Sequence, residues 1–469
     1  MKLPHVIESL VTAARALEAR TRARDPETEA ALRNRWEELP DGVRTPSQLL
    51  GRRSSGCEGT HGVFPRCNFA CSPCYLGSDA NQVRTDAEHT LAEIDRQMAY
   101  LRQVRGVDQH AQLIGGEVTL LGPDAHARAL LAMQRHRRKP MSMTHGDFDY
   151  EYLEQLAIAP DGTRRFEFLR FAGHFDSLMR GRRDIRHPRS EADLHPYRAQ
   201  FVGHFERLRR EHGVRFDLAH NMTVTPSNLT QVAEVVRECS TMRFGMMSFQ
   251  PAAYVGNPKR WQEEFHDVSI DAVWREIERG VGTRVPFQHV QMGDPRCNRS
   301  CHGVIAGGHW TPVLDDRDSR DLGVRDLFLD IFGGMDFERP PWVVAIALAR
   351  VMVHRPVVLP AAIGWARRLG HRAGWRRLLF GRPRALTFVV HAFMDADVVR
   401  PAWEATQRGE TATDPAIRAA QERLAACSYA MAHPDEGRLV PACVQHAILD
   451  PIENRALRRR LPISGSAAT

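Results

Sequence analysis

The chain has 469 residues, of which 43% are hydrophobic and 26% are charged, and its net charge is +7. This composition excludes a disordered chain, and the length allows two domains or one barrel-sized domain with an appended part. The positive charge favours an anionic partner such as nucleic acid, phospholipid or a phosphorylated substrate, without choosing among them.

The N-terminal residues 1–52 have the pattern of amphipathic helices. They lack the apolar stretch and the small-residue cleavage site of a secretory signal, so we expect a cytoplasmic protein. The chain contains nine cysteines, an odd number. In a reducing compartment, clustered cysteines bind metals or react more often than they form disulfides.

Helix-period segments alternate with short apolar runs from about residue 88 to residue 250. Strands separated by helices of this length predict βαβ units, a parallel sheet and a closed or nearly closed barrel. The first strand, at or before the VFP segment at 63–65, is the least clear. Helices are predicted over 86–104, 123–136, 193–213 and 226–239, and strands over 110–118, 139–147, 165–174, 214–224 and 242–252.

Three cysteines, Cys67, Cys71 and Cys74, lie in the segment RCNFACSPCYLG, just before the first of these helices. Loops after the strands of parallel β/α folds commonly carry the chemistry. A structural zinc site needs four protein ligands, and His61 is the only nearby candidate for the fourth. A disulfide fits neither the odd count nor the compartment. A cluster of four irons on three thiolates, by contrast, leaves one iron open for a ligand.

The segment CNFACSPCY resembles the CxxxCxxC loop of the radical SAM superfamily. The resemblance implies a [4Fe-4S] cluster on Cys67, Cys71 and Cys74, whose remaining iron binds the amino and carboxylate groups of S-adenosylmethionine (SAM). It also implies a partial (β/α)6 TIM-like barrel, here with N-terminal helices and a C-terminal α+β extension. In this family the reduced cluster cleaves SAM to a 5'-deoxyadenosyl radical that abstracts hydrogen from an unactivated carbon. The electron donor expected from the resemblance is of the flavodoxin or ferredoxin type.

The same family carries a GGE motif at the end of the next strand, where Gly115, Gly116 and Glu117 stand in this chain. Two glycines let a backbone approach a ligand closely, and a carboxylate at a strand end can accept hydrogen bonds from an ammonium group. The alternative interpretation of the motif alone is a turn. Two departures, Pro73 before the last cysteine and Val118 after the motif, bear on the subfamily because neither removes a ligand.

Further SAM contacts are implied at the ends of later strands. His174 and Asn221 are the main candidates, and each has the alternative of an ordinary strand-end side chain. The neighbouring polar residues Asp176, Thr223 and Gln250 belong to the same clusters. The segment THGDFDY adds His145, Asp147 and Asp149, for which the alternatives are contact with substrate or SAM and, for the two aspartates, a helix cap.

Four cysteines outside the predicted barrel match the number that closes a second iron–sulfur cluster, which radical SAM enzymes with C-terminal extensions often carry. They are Cys297, Cys301, Cys427 and Cys443. The alternative is that they are small buried hydrophobic residues. For Cys239 we expect a core position, and Cys57 is left unassigned.

After residue 262 the pattern changes, and the predicted organisation is a helical segment at 1–52, a barrel at 53–262, a helical and loop region at 263–384 and an extension at 385–469. Within the third part, residues 341–381 alternate aliphatic blocks with arginines. The arginines interrupt the apolar run, which makes a membrane-spanning helix a poor interpretation. The alternatives are an interfacial helix on an anionic membrane, peripheral at the inner face, and two core helices with solvated arginines.

The CNxxCxxCY loop, the SFQP segment and the C-terminal cysteines together are similar to the radical SAM branch that includes tetraether lipid synthase. This similarity implies a lipid acyl or isoprenoid chain as substrate. One alternative is a peptide or protein maturase with a second cluster. A non-catalytic iron–sulfur sensor or nucleic-acid binder is less favoured, because the arginines accompany aliphatic residues in place of stacking aromatics.

Overall fold

The computed structural model describes residues 3–77, 79–256, 258, 261–262 and 265–463. The ends of the predicted N-terminal segment and C-terminal extension, 1–2 and 464–469, lie outside these residues. The helices are α1 (Leu3–Arg20), α2 (Pro26–Glu38), α3 (Ala87–Arg105), α4 (Pro123–Arg135), α5 (Tyr150–Ala157), α6 (His195–His212), α7 (Val232–Cys239), α8 (Ile270–Val281), α9 (Ser319–Phe332), α10 (Pro341–His354), α11 (Val358–Ala373), α12 (Trp375–Phe380), α13 (Ala396–Gln407), α14 (Pro415–Ala425), α15 (Ala442–Val444) and α16 (Asp450–Arg460).

Eleven strands form one sheet in the order β11-β10-β1-β2-β3-β4-β5-β6-β9-β7-β8. They are β1 (Cys57–Gly59), β2 (Gln109–Leu113), β3 (Arg138–Thr144), β4 (Phe168–His174), β5 (Arg215–Val224), β6 (Met246–Pro251), β7 (Asn298–Ala306), β8 (His309–Pro312), β9 (Arg384–His391), β10 (Tyr429–His433) and β11 (Arg438–Pro441).

The strands β1 to β6 are parallel neighbours in chain order. Helices α3 to α7 connect them from β1 onward; α3, α4, α6 and α7 were predicted, whereas α5 has no counterpart among the predicted helices. The α/β class with a mostly parallel sheet is therefore confirmed. The first strand lies before the VFP segment and has three residues, which explains its weak sequence signal.

The sheet does not close into a barrel among the described residues. Strand β10 pairs with β1 in parallel, and β9 pairs with β6, so later parts of the chain occupy both edges of the six-stranded unit. Strands from 263–384 and from 385–469 thus share the sheet with strands from 53–262. The domain boundaries stay a prediction, but the hydrogen-bonded sheet runs across them.

Local signals in the sequence fix the elements around the site. The Asp86 side chain accepts a hydrogen bond from His89 N at the start of α3, and Gly106, with φ of 73°, ends this helix. Strand β3 alternates buried and half-buried residues, as expected for a strand with two different faces. Because β1 to β4 are parallel, their carboxyl ends meet at one edge of the sheet, where the cysteine loop begins.

Candidate functional site

The cysteine loop follows β1 and is fixed by backbone contacts on several sides. Cys67 N donates to Asn81 Oδ1 at 2.9 Å, and Ala70 N donates to Arg180 O at 2.9 Å. The loop that follows β4, which contains Arg180, therefore lies along the cysteine segment. Tyr75, next to the last cysteine, donates through its hydroxyl to Gly115 O at 2.6 Å. These contacts hold the loop in place.

The three thiols lie half-buried and near one another. Burial raises the pKa of the Cys71 thiol well above its usual value, and the nearby Cys74, Asp176 and Cys67 raise it further. Such neighbours disfavour several thiolates unless positive charge is supplied. Iron–sulfur clusters are held by cysteine thiolates, and the chain has no other cysteine between Cys74 and Cys239. The donor set therefore fits a cluster with three protein ligands.

The two glycines of the GGE motif let the chain approach itself. A Cβ atom on Gly116 would lie 1.9 Å from Arg66 O, and one on Gly115 would lie 2.8 Å from the Phe64 ring. Gly116 N donates to Phe64 O at 2.7 Å, and Glu117 N donates to Arg66 O at 2.9 Å. The turn after β2 thus packs directly against the segment that leads into Cys67. Close approach of these glycines to SAM stays a prediction.

Glu117 has its carboxylate inside the protein, with an exposed fraction of 1%. Its Oε1 atom accepts hydrogen bonds from Thr119 N, Thr119 Oγ1 and Thr144 Oγ1 at 3.1, 2.8 and 2.7 Å. Its Oε2 atom accepts one from His145 N at 2.9 Å. In this conformation the carboxylate links the ends of β2 and β3, and its contact with an ammonium group stays a prediction.

His145 connects the GGE motif to the cysteine loop. Its Nε2 atom lies 2.9 Å from Asn68 Oδ1 and 3.4 Å from Glu117 Oε2, and its ring stacks on Phe69 with centroids 3.9 Å apart. The sequence placed His145 among the strand-end candidates, but gave no sign of these three partners. Asp149 lies at the N-cap position of α5, but its side chain makes no capping hydrogen bond. Asp147 and Asp149 both form ion pairs with Arg183, at 3.2 and 2.9 Å.

The other predicted SAM contacts lie at the same edge of the sheet. His174 and Asn221 are paired in register on β4 and β5. His174 Nε2 lies 2.6 Å from Asp176 Oδ2, which also accepts a hydrogen bond from Thr223 N at 3.0 Å. The pKa of Asp176 is lowered, because His174 and the hydrogen bonds outweigh the effect of burial. Contact of His174 and Asn221 with SAM stays a prediction.

A second group of thiols comes together at the edge formed by β1 and β10. Burial, together with the neighbouring thiols of Cys427 and Cys297, raises the pKa of Cys443 to about 12. Arg423 Nε donates to Cys297 Sγ at 3.2 Å. Cys57 joins this group, because it pairs in register with Tyr429 and its N–H donates to Ser428 O at 2.7 Å, beside Cys427.

Cys301 does not belong to this second group, which corrects the predicted set of four. It is fully buried in the main core and lies opposite Phe388 on β9. Cys297 directly precedes β7 and Cys301 is its fourth residue, so four extended residues separate them by about 13 Å. The same spacing on a helix would have brought them together. Cys239 lies in the main core, as predicted.

Cys427 also lines a cavity of about 440 Å³ between α2, α3, α13 and α14. Three arginines, Arg35, Arg105 and Arg438, share this lining. Arg35 Nη2 donates to Cys427 O at 2.7 Å, and Arg105 Nη1 donates to Cys57 O at 3.1 Å. Burial raises the pKa of the Cys427 thiol and outweighs the lowering by Arg35 and Arg105, so the net shift is upward.

No protein-family model matches the chain, and neither does any curated protein. Similar solved structures include native anSMEcpe with bound AdoMet, at 12% identity over 48% of this chain and 58% of that chain, with a TM-score of 0.29. Native anSMEcpe with bound AdoMet and Kp18Cys peptide matches at 13% identity over 48% and 59%, with a TM-score of 0.30. The matched region thus covers less than half of this chain and less than two thirds of each anSMEcpe chain. At such identities and scores the likeness does not establish a family, and the chemistry is inferred from this chain's own residues.

Proposed function

We propose that this chain is a radical SAM enzyme, in which Cys67, Cys71 and Cys74 hold a [4Fe-4S] cluster that binds SAM. The observation that supports this most is the connection between the two motifs. The GGE turn packs on the backbone of Phe64 and Arg66, immediately before Cys67. His145 then joins Glu117 to Asn68, inside the cysteine segment.

When bound, this cluster supplies the electron that cleaves SAM to methionine and a 5'-deoxyadenosyl radical. The chain's own residues fix the loop. Tyr75, Asn81 and the backbone of Arg180 hold the loop from three sides. Phe69 is 3% exposed and His145 is 5% exposed, so their stacked rings form a buried surface next to Cys67.

The proposed reaction is hydrogen abstraction from an unactivated carbon, and a lipid acyl or isoprenoid chain is the first substrate class to test. A peptide or protein substrate is the alternative. Deuterium transfer identifies the substrate class. A deuterium-labelled substrate should transfer deuterium into 5'-deoxyadenosine, and an unrelated labelled compound should not. Because SAM cleavage needs one electron, we propose a flavodoxin or ferredoxin as the physiological donor.

We also propose a second iron–sulfur cluster, held by Cys57, Cys297, Cys427 and Cys443. The Cys427 thiol interacts electrostatically with the thiols of Cys57, Cys297 and Cys443, while Cys301 lies in the main core. Iron prefers such thiolate sets, and four ligands would leave no iron open.

Spectroscopy of the anaerobically reconstituted protein tests the proposal for the cysteine loop. Electron paramagnetic resonance of the dithionite-reduced protein should change when SAM is added, because SAM binds an iron of this cluster. The Cys71→Ala variant should lose the SAM-dependent change, whereas the matched Cys301→Ala variant should keep it. An unchanged spectrum on addition of SAM to the unaltered protein would contradict the proposal.

A further inference from the structure

Helices α10, α11 and α12 carry an unusually exposed set of large apolar side chains. The exposed fraction is 78% for Val353, 70% for Leu379 and 80% for Phe380. Monomeric soluble proteins rarely expose apolar patches of this kind without a partner. We call the set the apolar surface, and it comprises Trp342, Ile346, Met352, Val353, Val357, Leu359, Ile363, Trp375, Leu379 and Phe380.

The apolar surface continues onto helix α1. The Arg20 guanidinium lies over the Trp342 ring, 4.8 Å from its centroid. Arg350 Nη1 donates to Thr21 Oγ1 at 2.6 Å, just after the end of α1. Val11 and Leu17 of α1 are themselves 43% and 48% exposed. The surface therefore includes side chains from two distant parts of the sequence.

The charge on the segment that contains α10, α11 and α12 has one sign. Residues 341–384 contain nine arginines and no aspartate or glutamate. Arg368 and Arg372 are engaged by the buried Asp321, each at 2.7 Å. Five other arginines are exposed and form no ion pair with the described residues: Arg355, Arg367, Arg376, Arg377 and Arg382. Exposed arginines beside exposed aliphatic and tryptophan side chains match the interface of an anionic bilayer.

Among the described residues, no single helix is long and apolar enough to span a membrane. Helices α10 and α11 are long and apolar enough only when taken together, and the chain bends by 115° between them. Trp342 and Trp375 stand near the starts of α10 and α12, and tryptophan favours the boundary between lipid and water.

The apolar surface starts from the end of the sheet opposite the cysteine loop. The segment that leads into α10 contacts residues near the amino ends of the parallel strands: Asp336 pairs with Lys139 on β3 at 2.6 Å, and Glu338 lies 3.8 Å from His110 on β2. Helix α12 leads directly into the first residue of β9, which runs parallel to β6. The cysteine loop and the GGE turn follow the carboxyl ends of β1 and β2.

We propose that the apolar surface anchors the protein on an anionic phospholipid bilayer, with the cysteine loop at the end of the sheet away from the membrane. Residues 341–381 lie away from the cysteine loop, so this surface does not bring a lipid chain to that loop. This proposal is independent of the chemistry proposed for that loop.

Vesicle flotation of the full-length protein tests the anchor. The unaltered protein should float with vesicles of phosphatidylcholine and phosphatidylglycerol at low salt, and should stay at the bottom with phosphatidylcholine alone. Two variants should bind anionic vesicles about tenfold more weakly than the unaltered protein. They are Leu379→Ser/Phe380→Ser and Arg376→Gln/Arg377→Gln.

Matched changes at the opposite edge of the sheet serve as controls. Ile452 is 52% exposed on α16, and Arg459 and Arg460 form an adjacent exposed pair there. Ile452→Ser and Arg459→Gln/Arg460→Gln should bind vesicles as the unaltered protein does. All variants should release 5'-deoxyadenosine at the same rate without vesicles, so loss of binding and loss of chemistry are distinguishable.

Three results would overturn the anchor. One is the absence of binding by the unaltered protein, and another is equal binding to neutral and anionic vesicles. The third is a vesicle-free dimer in sedimentation that Leu379→Ser/Phe380→Ser dissociates, because the surface would then bind a second copy of the chain.

Discussion

His145 donates a hydrogen bond through Nε2 to Asn68 Oδ1, 2.9 Å away, and so joins the end of β3 to the cysteine loop. Asp147 N donates to the other ring nitrogen, Nδ1, at 3.0 Å, so the ring proton resides on Nε2. Burial lowers the pKa of His145, which keeps the ring neutral near pH 7. His145 is therefore a positioning residue for the loop.

Replacing His145 tests this role. The His145→Ala variant should raise KM for SAM about fivefold, the equivalent of one lost hydrogen bond, with a smaller effect on kcat. The His145→Gln variant retains an N–H donor and should recover part of the loss. Kinetics of 5'-deoxyadenosine formation give both constants. In a double-mutant cycle with Asn68→Ala the two effects should be coupled, and simple additivity would contradict the contact.

Gly116 should tolerate no side chain, because a Cβ atom there would lie 1.9 Å from Arg66 O. The Gly116→Ala variant should lose about 1–3 kcal/mol in free energy of unfolding, measured with denaturant on the protein without cofactor. Gly203 in α6 is the matched control, since a Cβ atom there meets no other atom within 4 Å. Gly203→Ala should gain stability, by about 1 kcal/mol. Equal effects of the two changes would contradict the packing of the turn.

The pair of His61 and Glu453 should make stability depend on pH. His61 Nδ1 lies 2.9 Å from Glu453 Oε2 and ties β1 to α16. Burial lowers the pKa of His61, but Glu453 outweighs burial and the net shift is upward. A raised folded-state pKa stabilises the fold below about pH 6.5, and the contribution is lost as pH rises through the folded value.

The His61→Gln variant should therefore lose about 1–3 kcal/mol in free energy of unfolding at pH 6. The loss should be smaller at pH 8.5. Glu453 has a lowered pKa, so its own contribution is present above about pH 4.5 and is lost as pH falls. Denaturant unfolding of both proteins at the two pH values measures the difference. A deficit that is the same at both values would argue against an ionised pair.

Iron content should separate the two thiol groups. The triple variant Cys67→Ala/Cys71→Ala/Cys74→Ala should retain iron in the second group. Adding Cys297→Ala should remove it, whereas adding Cys301→Ala should not, since Cys301 lies in the main core. Iron and sulfide analysis after anaerobic reconstitution checks this. A triple variant that holds no iron would contradict the second cluster.

Local pattern was enough to predict the parallel unit, because the strands β2 to β6 and four of the five helices between β1 and β6 carry their own periodicity. Helix α5, with eight residues, was not predicted. The three residues of β1 are too few to show one. The pairing of β10 with β1 joins residues 372 positions apart, and that of β9 with β6 joins residues 141 positions apart, so no local pattern predicts them.

The candidate site shows the same limit. The spacing of Cys67, Cys71 and Cys74 and the GGE motif were visible in the sequence, but the partners of Glu117 were not. The predicted set of four cysteines rested on their number, which says nothing of their positions, and the extended strand β7 separates Cys297 from Cys301 by about 13 Å. Cys57 joined the second group only through the register of β1 with β10.

The most direct test of the central proposal is release of 5'-deoxyadenosine by the anaerobically reconstituted protein given dithionite and SAM. We expect release by the unaltered protein and by the Cys301→Ala variant, and none by Cys71→Ala. Equal release by Cys71→Ala and the unaltered protein, or no release by a fully reconstituted protein, would contradict SAM cleavage at this loop.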